Sequence, residues 1–249
     1  MSFFDFCIII NKGDMMKLRK AVLLIHGFAG GTYDMESLAW SIQKRMFLDV
    51  YQFTLPGHAH KENCTYKDWI NAVKEKMETL ISYGYSSIYV VGHSMGGVLA
   101  LLAATEYSEV KKIVLAAPAF KYVGEKENFS FKKTTSIIQN YGIDEVIFRG
   151  FERLPITAIN ELAALVKNSQ ELPKKIKKPI LIFQGTKDDI VPVTSSEYVF
   201  DNVESKLKSL VYLEESNHDI FNGSQKDLVN KKIEKFLLFN KISGPKEYV

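Results

Sequence analysis

Two cysteines in 249 residues, Cys7 and Cys64, cannot build a disulfide framework, and neither stands in a C-x-x-C pair. A reducing, intracellular setting is the plain expectation, and the protein is read as cytoplasmic. No H-E-x-x-H occurs either, so neither a metal nor a cofactor is expected. The net charge of +3 is too small a bias for a nucleic-acid partner. No apolar run reaches membrane length, so stable insertion in a bilayer is not expected. The opening "MSFFDFCIIINKGDMMK" lacks the basic n-region and the small-residue cleavage site of a signal peptide. Residues 1–16 are read as an extension or a short edge strand. Internal repeats and low-complexity tracts are also missing.

What the chain does have is a rhythm. Short apolar runs end in turn signals: "AVLLIHG" (21–27), "DVYQFTLPG" (49–57), "SIYVVGHS" (87–94), "KIVLAAP" (112–118), "PILIFQG" (179–185) and "SLVYLEES" (209–216). They are rich in Val, Ile and Leu without clean alternation, as strands buried on both faces of a parallel sheet are. Between them lie helical patterns. Met35, Leu38, Ile42 and Met46 share one stripe, and so do Trp69, Val73, Met77 and Leu80. Strand and helix alternate, which predicts an α/β fold with a mostly parallel central sheet flanked by helices. Residues 119–176 break the rhythm with helical patterns and no convincing strand. They are read as a small helical cap inserted into a core made of 1–118 and 177–249. Phe120, Tyr122, Phe129, Phe131, Tyr141 and Phe148 of that cap could line an apolar pocket or fasten the cap to the body.

Ligands of open parallel sheets bind beyond the carboxyl ends of the strands. Four such ends carry polar, glycine-rich turns. They are H26-G27-F28-A29-G30-G31, G92-H93-S94-M95-G96-G97, Q184-G185-T186-K187-D188-D189 and S216-N217-H218-D219. A serine, an acid and a histidine thus follow in chain order, each just past a strand. Ser94 lies between Gly92 and Gly96, where a sharp strand-to-helix turn needs small neighbours. The turn sets its hydroxyl at a helix N-terminus, which favours developing negative charge.

"GHSMGG" fits G-x-S-x-G, and the chain resembles the α/β-hydrolase superfamily over residues 21–239. It is most similar there to the small bacterial carboxylesterases and monoacylglycerol lipases, which carry an HGF-x-G loop and a minimal cap. The resemblance implies cleavage of a small-molecule carboxylic ester of small to medium acyl chain. Ser94 would be the nucleophile. The acid is a choice between Asp188 and Asp189, and the family's G-x-x-D-x-x-V-P loop aligns Asp188. The base is His218, in "SNHD", where Asn217 replaces the family's glycine. The oxyanion hole would use the backbone N–H groups of Phe28 and Met95. His26 is expected to order the oxyanion loop, His58 and His60 to be structural, and His93 to be packing.

Other chemistries share this scaffold. A haloalkane dehalogenase needs a carboxylate where Ser94 stands. Thioesterases and peptidases use the same triad and stay open, as does a non-catalytic ligand receptor, because fold does not dictate function.

Overall fold

A computed structural model describes residues 19–46, 48–59, 62–121 and 157–249. Its strands are β1 (Arg19–Ile25), β2 (Asp49–Gln52), β3 (Tyr85–His93), β4 (Val110–Ala116), β5 (Ile180–Gly185), β6 (Lys208–Leu213) and β7 (Lys246–Tyr248). They form one sheet in the order β2-β1-β3-β4-β5-β6-β7, and every neighbouring pair runs parallel. The helices are α1 (Glu36–Met46), α2 (Tyr66–Ser82), α3 (Met95–Glu106), α4 (Thr157–Ser169), α5 (Val193–Asn202) and α6 (Lys226–Phe239). The chain is an α/β-hydrolase fold.

The apolar runs lack alternation because both faces of each central strand are covered. Leu23 and Ile25 of β1 join one core cluster with Val90, Leu115, Ile182 and Leu210. Val22 and Leu24 point the other way and join Val91, Val114, Phe183 and Val211. Trp69, Val73, Met77 and Leu80 of α2 cover the first face, together with α3, α4 and α5. Leu38 and Ile42 of α1 cover the second, with Val229, Ile233 and Phe236 of α6. Helix α3 is apolar on nearly every side, and most of it is buried, as a helix enclosed by neighbours must be.

The connections make the site. After β1 the chain turns outward through α1 to β2. After β3 it turns the opposite way through α3 to β4. The loops leaving β1 and β3 therefore diverge, and a crevice opens between their carboxyl ends, the switch point where open α/β sheets bind ligands.

β7 has no counterpart in the sequence reading. Lys246–Tyr248 is too short and too polar to read as a strand, and tertiary contacts create it. Leu210 N–H donates to Pro245 O and Val249 N–H to Tyr212 O, each at 2.9 Å. The Tyr248 ring stacks on Tyr212 at 4.3 Å, and Lys232 pairs with Glu247 at 2.7 Å.

Residues 1–16 and the middle of the expected cap, 122–156, lie outside the described residues, as does His60. At the near end of the cap segment, Ser195 Oγ accepts the N–H groups of Phe120 and Lys121 at 2.9 Å and donates to Pro118 O at 2.6 Å. Phe120 is fully buried there. At the far end, Ala158, Leu162 and Leu165 of α4 enter the core cluster of α2 and α3. The Glu161 carboxylate accepts the Tyr66 N–H at 2.9 Å. No described helix is long and apolar enough to cross a membrane.

Candidate active site

Ser94 is where β3 ends and α3 begins. Its backbone lies at φ +52°, ψ −118°, a conformation that costs a non-glycine residue about 1–3 kcal/mol and persists only when its surroundings impose it. Three backbone bonds impose it here. Ser94 N–H donates to Ala116 O at 2.8 Å, and Ser94 O accepts from Gly97 at 2.9 Å and Ala119 at 3.1 Å. Both flanking glycines are forced by close approach. A Cβ on Gly92 would stand 2.2 Å from Gly96 O, and one on Gly96 would stand 2.1 Å from Ile25 O. The second contact seats the start of α3 against the end of β1. Gly96, the second residue of the helix, thereby also lies against His26 O, at the start of the loop that carries Phe28. First-turn N–H groups of a helix lack partners within it, so this junction is rich in donors.

The acid and the histidine meet between the loops after β5 and β6. His218 Nδ1–H donates to Asp188 Oδ2 at 2.8 Å, and the Asp188 side chain is fully enclosed, whereas Asp189 is exposed. The structure thus brings Asp188, and not Asp189, to the histidine. With Nδ1 protonated, Nε2 of the neutral ring carries the acceptor lone pair. Asp188 Oδ1 accepts the N–H groups of Ile190 and Val191 at 3.0 and 2.9 Å. Burial pushes the Asp188 pKa upward, but His218 and the donated hydrogen bonds outweigh it and hold the carboxyl below its ordinary value. For His218, burial works to lower the pKa, while Asp188, then Asp189 and Asp219, raise it above that of an ordinary histidine. Gly185 permits the meeting, since a Cβ there would stand 2.4 Å from the carbonyl oxygens of Ser216 and Asn217.

Two residues behind Asp188 escaped the sequence reading. Gln184 Nε2 donates to Asp188 Oδ2 at 3.2 Å and to Val191 O at 3.1 Å, and Ser196 Oγ donates to Gln184 Oε1 at 2.6 Å. Ser196 therefore fixes which way the Gln184 amide faces. A signal was present, because a glutamine inside "PILIFQG" is a polar group in a buried strand and needs partners.

The first loop is ordered from within. His26 Nδ1–H donates to Gly27 O at 2.8 Å, and His26 Nε2 accepts the Leu55 N–H at 3.0 Å. The ring joins the β1 loop to the β2 loop in one neutral tautomer. Desolvation, then His58, push its pKa down to about 3. The Phe28 ring meets His58 and Trp69 edge-on at 6.0 and 6.1 Å. His58 Nδ1–H and Trp69 Nε1–H both donate to Pro56 O, and His58 Nε2 has no partner among the described residues. Asn222 Nδ2 donates to Asp34 O at 3.0 Å, which ties the histidine loop to the turn after Gly31.

His93 is not simple packing. Its Nε2–H donates to His218 O at 2.9 Å, and the two rings lie 4.8 Å apart. This bond fastens the residue before Ser94 to the backbone of the histidine loop. Among the described residues, no group of three His, Cys, Asp or Glu side chains could hold a metal ion.

Comparison with known proteins gives the family. The chain is 28% identical to the carboxylesterase of Bacillus subtilis (strain 168) over 230 residues, 88% of this chain and 92% of that one. It is 29% identical to the thermostable monoacylglycerol lipase of Bacillus sp. (strain H-257) over 214 residues, 79% and 82% of the two chains. Among solved structures, a metagenome-derived lipolytic enzyme superposes with a TM-score of 0.72 at 24% identity, covering 88% of this chain and 93% of that one. The monoacylglycerol lipase of Paleococcus ferrophilus superposes with a TM-score of 0.67 at 16% identity, over 88% and 94%. Residues 16–143 and 133–225 match the family described as serine aminopeptidase, S33. With a strand-to-helix serine turn at the switch point of a parallel sheet, the chain belongs to that family, as an α/β-hydrolase of the carboxylesterase and monoacylglycerol lipase type.

Proposed function

We propose that this protein is a serine hydrolase that cleaves carboxylic esters of small to medium acyl chain. Ser94, His218 and Asp188 form its triad, and the reaction runs through an acyl-enzyme. One observation carries the reading. A fully enclosed carboxylate is paired with a histidine whose ring lies against the neighbour of a positive-φ serine.

In the proposed reaction His218 Nε2 takes the Ser94 hydroxyl proton as Oγ bonds to the ester carbonyl carbon. The carbonyl electron pair moves onto oxygen, and the Phe28 and Met95 amides hold that charge. Such donors are each worth about 10²–10³ in rate. Collapse breaks the bond to the alcohol, which leaves with the proton from His218. Water then attacks the acyl-enzyme by the same route, releasing the carboxylic acid and restoring Ser94. Asp188 fixes the histidine tautomer and stabilises the imidazolium.

The cap over 119–176 is proposed to set acyl length, and the cytoplasm is the proposed location, in keeping with the two cysteines. The two Bacillus relatives favour esters, while the family description, a serine aminopeptidase, keeps amides in the comparison. Purified protein is to be assayed on a short-chain p-nitrophenyl ester, with Ser94→Ala alongside. Ser94→Ala activity within about tenfold of the parent would sink the assignment.

A further inference from the structure

We infer that His93, the residue before the nucleophile, is a positioning residue that sets the distance between Ser94 and the backbone of the histidine loop. The inference rests on the triad reading above and adds a part to it.

The geometry points there from three sides. First, the His93 ring reaches a residue 125 positions away: Nε2–H donates to His218 O at 2.9 Å. A carbonyl can only accept, so Nε2 carries the proton and Nδ1 the lone pair. Second, the other donor to His218 O is the N–H of Ile220 at 3.0 Å. That bond is local and moves with the loop, whereas the His93 bond fastens the loop to the end of β3. Third, the opposite edge of the ring abuts the first loop. A Cβ on Gly27 would stand 3.3 Å from His93 Nδ1 and 3.2 Å from Ser94 Cβ. The Phe221 ring closes a further side at 5.9 Å. The nucleophile is thus joined to the base by one peptide link and one hydrogen bond, with the glycine of the first loop wedged against both.

A charge on His93 would face the imidazolium that His218 becomes during acylation. Desolvation first, and His218 second, press the His93 pKa down to about 3, so its ring stays neutral while His218 titrates. The charged groups that bear on His218 are Asp188, Asp189 and Asp219. The neutral His93 ring adds a directed dipole and no charge.

The test compares His93→Leu, which fills the space without a donor, with His93→Gln, whose Nε2 reaches the same point. His93→Leu is expected to lower kcat by about 10–100-fold with little change in KM, the size of effect that a misplacement of about 1 Å produces. It should also broaden or shift the downfield proton resonance of the His218–Asp188 hydrogen bond. His93→Gln should recover most of the rate and the resonance. Ser94→Ala is run beside them. If Ser94→Ala is dead but His93→Leu keeps parental kcat and an unchanged resonance, the positioning role is overturned and the triad survives. If Ser94→Ala still turns over, the triad reading itself has failed. A His93→Gln variant as slow as His93→Leu also overturns the role, because a restored donor would then be irrelevant.

Discussion

Asp188 keeps its charge because three donors and a histidine surround a carboxylate with no exposed surface. Its native pKa lies below the unfolded one, so it contributes stability above the unfolded value, lost as pH falls through the native value. Its effect on His218 runs the other way. The pKa of His218 is raised, so the neutral base forms only above the pH at which an ordinary histidine loses its proton. The acid limb of kcat/KM should accordingly lie above that of a free imidazole. Asp188→Asn should move the limb down in pH and lower kcat by on the order of 10⁴; a pH profile of the two proteins checks both. His26 gives a stability test of the same sense as Asp188, in a higher pH window. In the unfolded chain it titrates near 6.5, but in the fold it stays neutral to about 3. The unfolded state takes up the proton first, so stability should fall as pH drops through that window, by about 1.4 kcal/mol per pH unit from this group. Urea titrations at successive pH values, with His26→Asn as the comparison, measure that slope.

These residues were unequally legible in the sequence. Ser94, Asp188 and His218 stand in motifs just past strands, and the structure places Asp188 against His218. His93 was read as packing, because a neighbour in sequence tells nothing about a carbonyl brought in from another loop. Gln184 announced a need for partners without naming them.

At the scale of elements, close approach matters more than propensity. Gly185 lets the loop after β5 slide under the loop after β6, and a methyl group there has two carbonyl oxygens in its way. Gly185→Ala is expected to cost about 1–3 kcal/mol and to lower kcat together with thermal stability. A substitution on the same loop without close contacts should change neither. The strands were readable because a sheet covered on both faces must be apolar at successive positions. β7 was not, because its pairing and its ring stack depend on β6 and α6 already being in place. Deleting residues 245–249 should uncover the edge of β6 and produce higher-order species in size-exclusion chromatography, since an unpaired strand edge is a template for association.

For the whole molecule, the order of the strands places the chemistry. Because the chain leaves β1 and β3 in opposite directions, the first loop and the serine turn face one crevice, and the later strands carry Asp188 and His218 in the loops at their carboxyl ends. A chain-length series of p-nitrophenyl esters should peak below about twelve carbons if the pocket is of small to medium size. The central claim, that Ser94 becomes acylated, is tested most directly by intact-mass and peptide analysis of protein quenched during turnover of a slow ester. The account predicts one acyl group per chain, on the peptide that carries Ser94, and none on Ser94→Ala. Turnover with no adduct on that peptide, or an unchanged rate in Ser94→Ala, would contradict it.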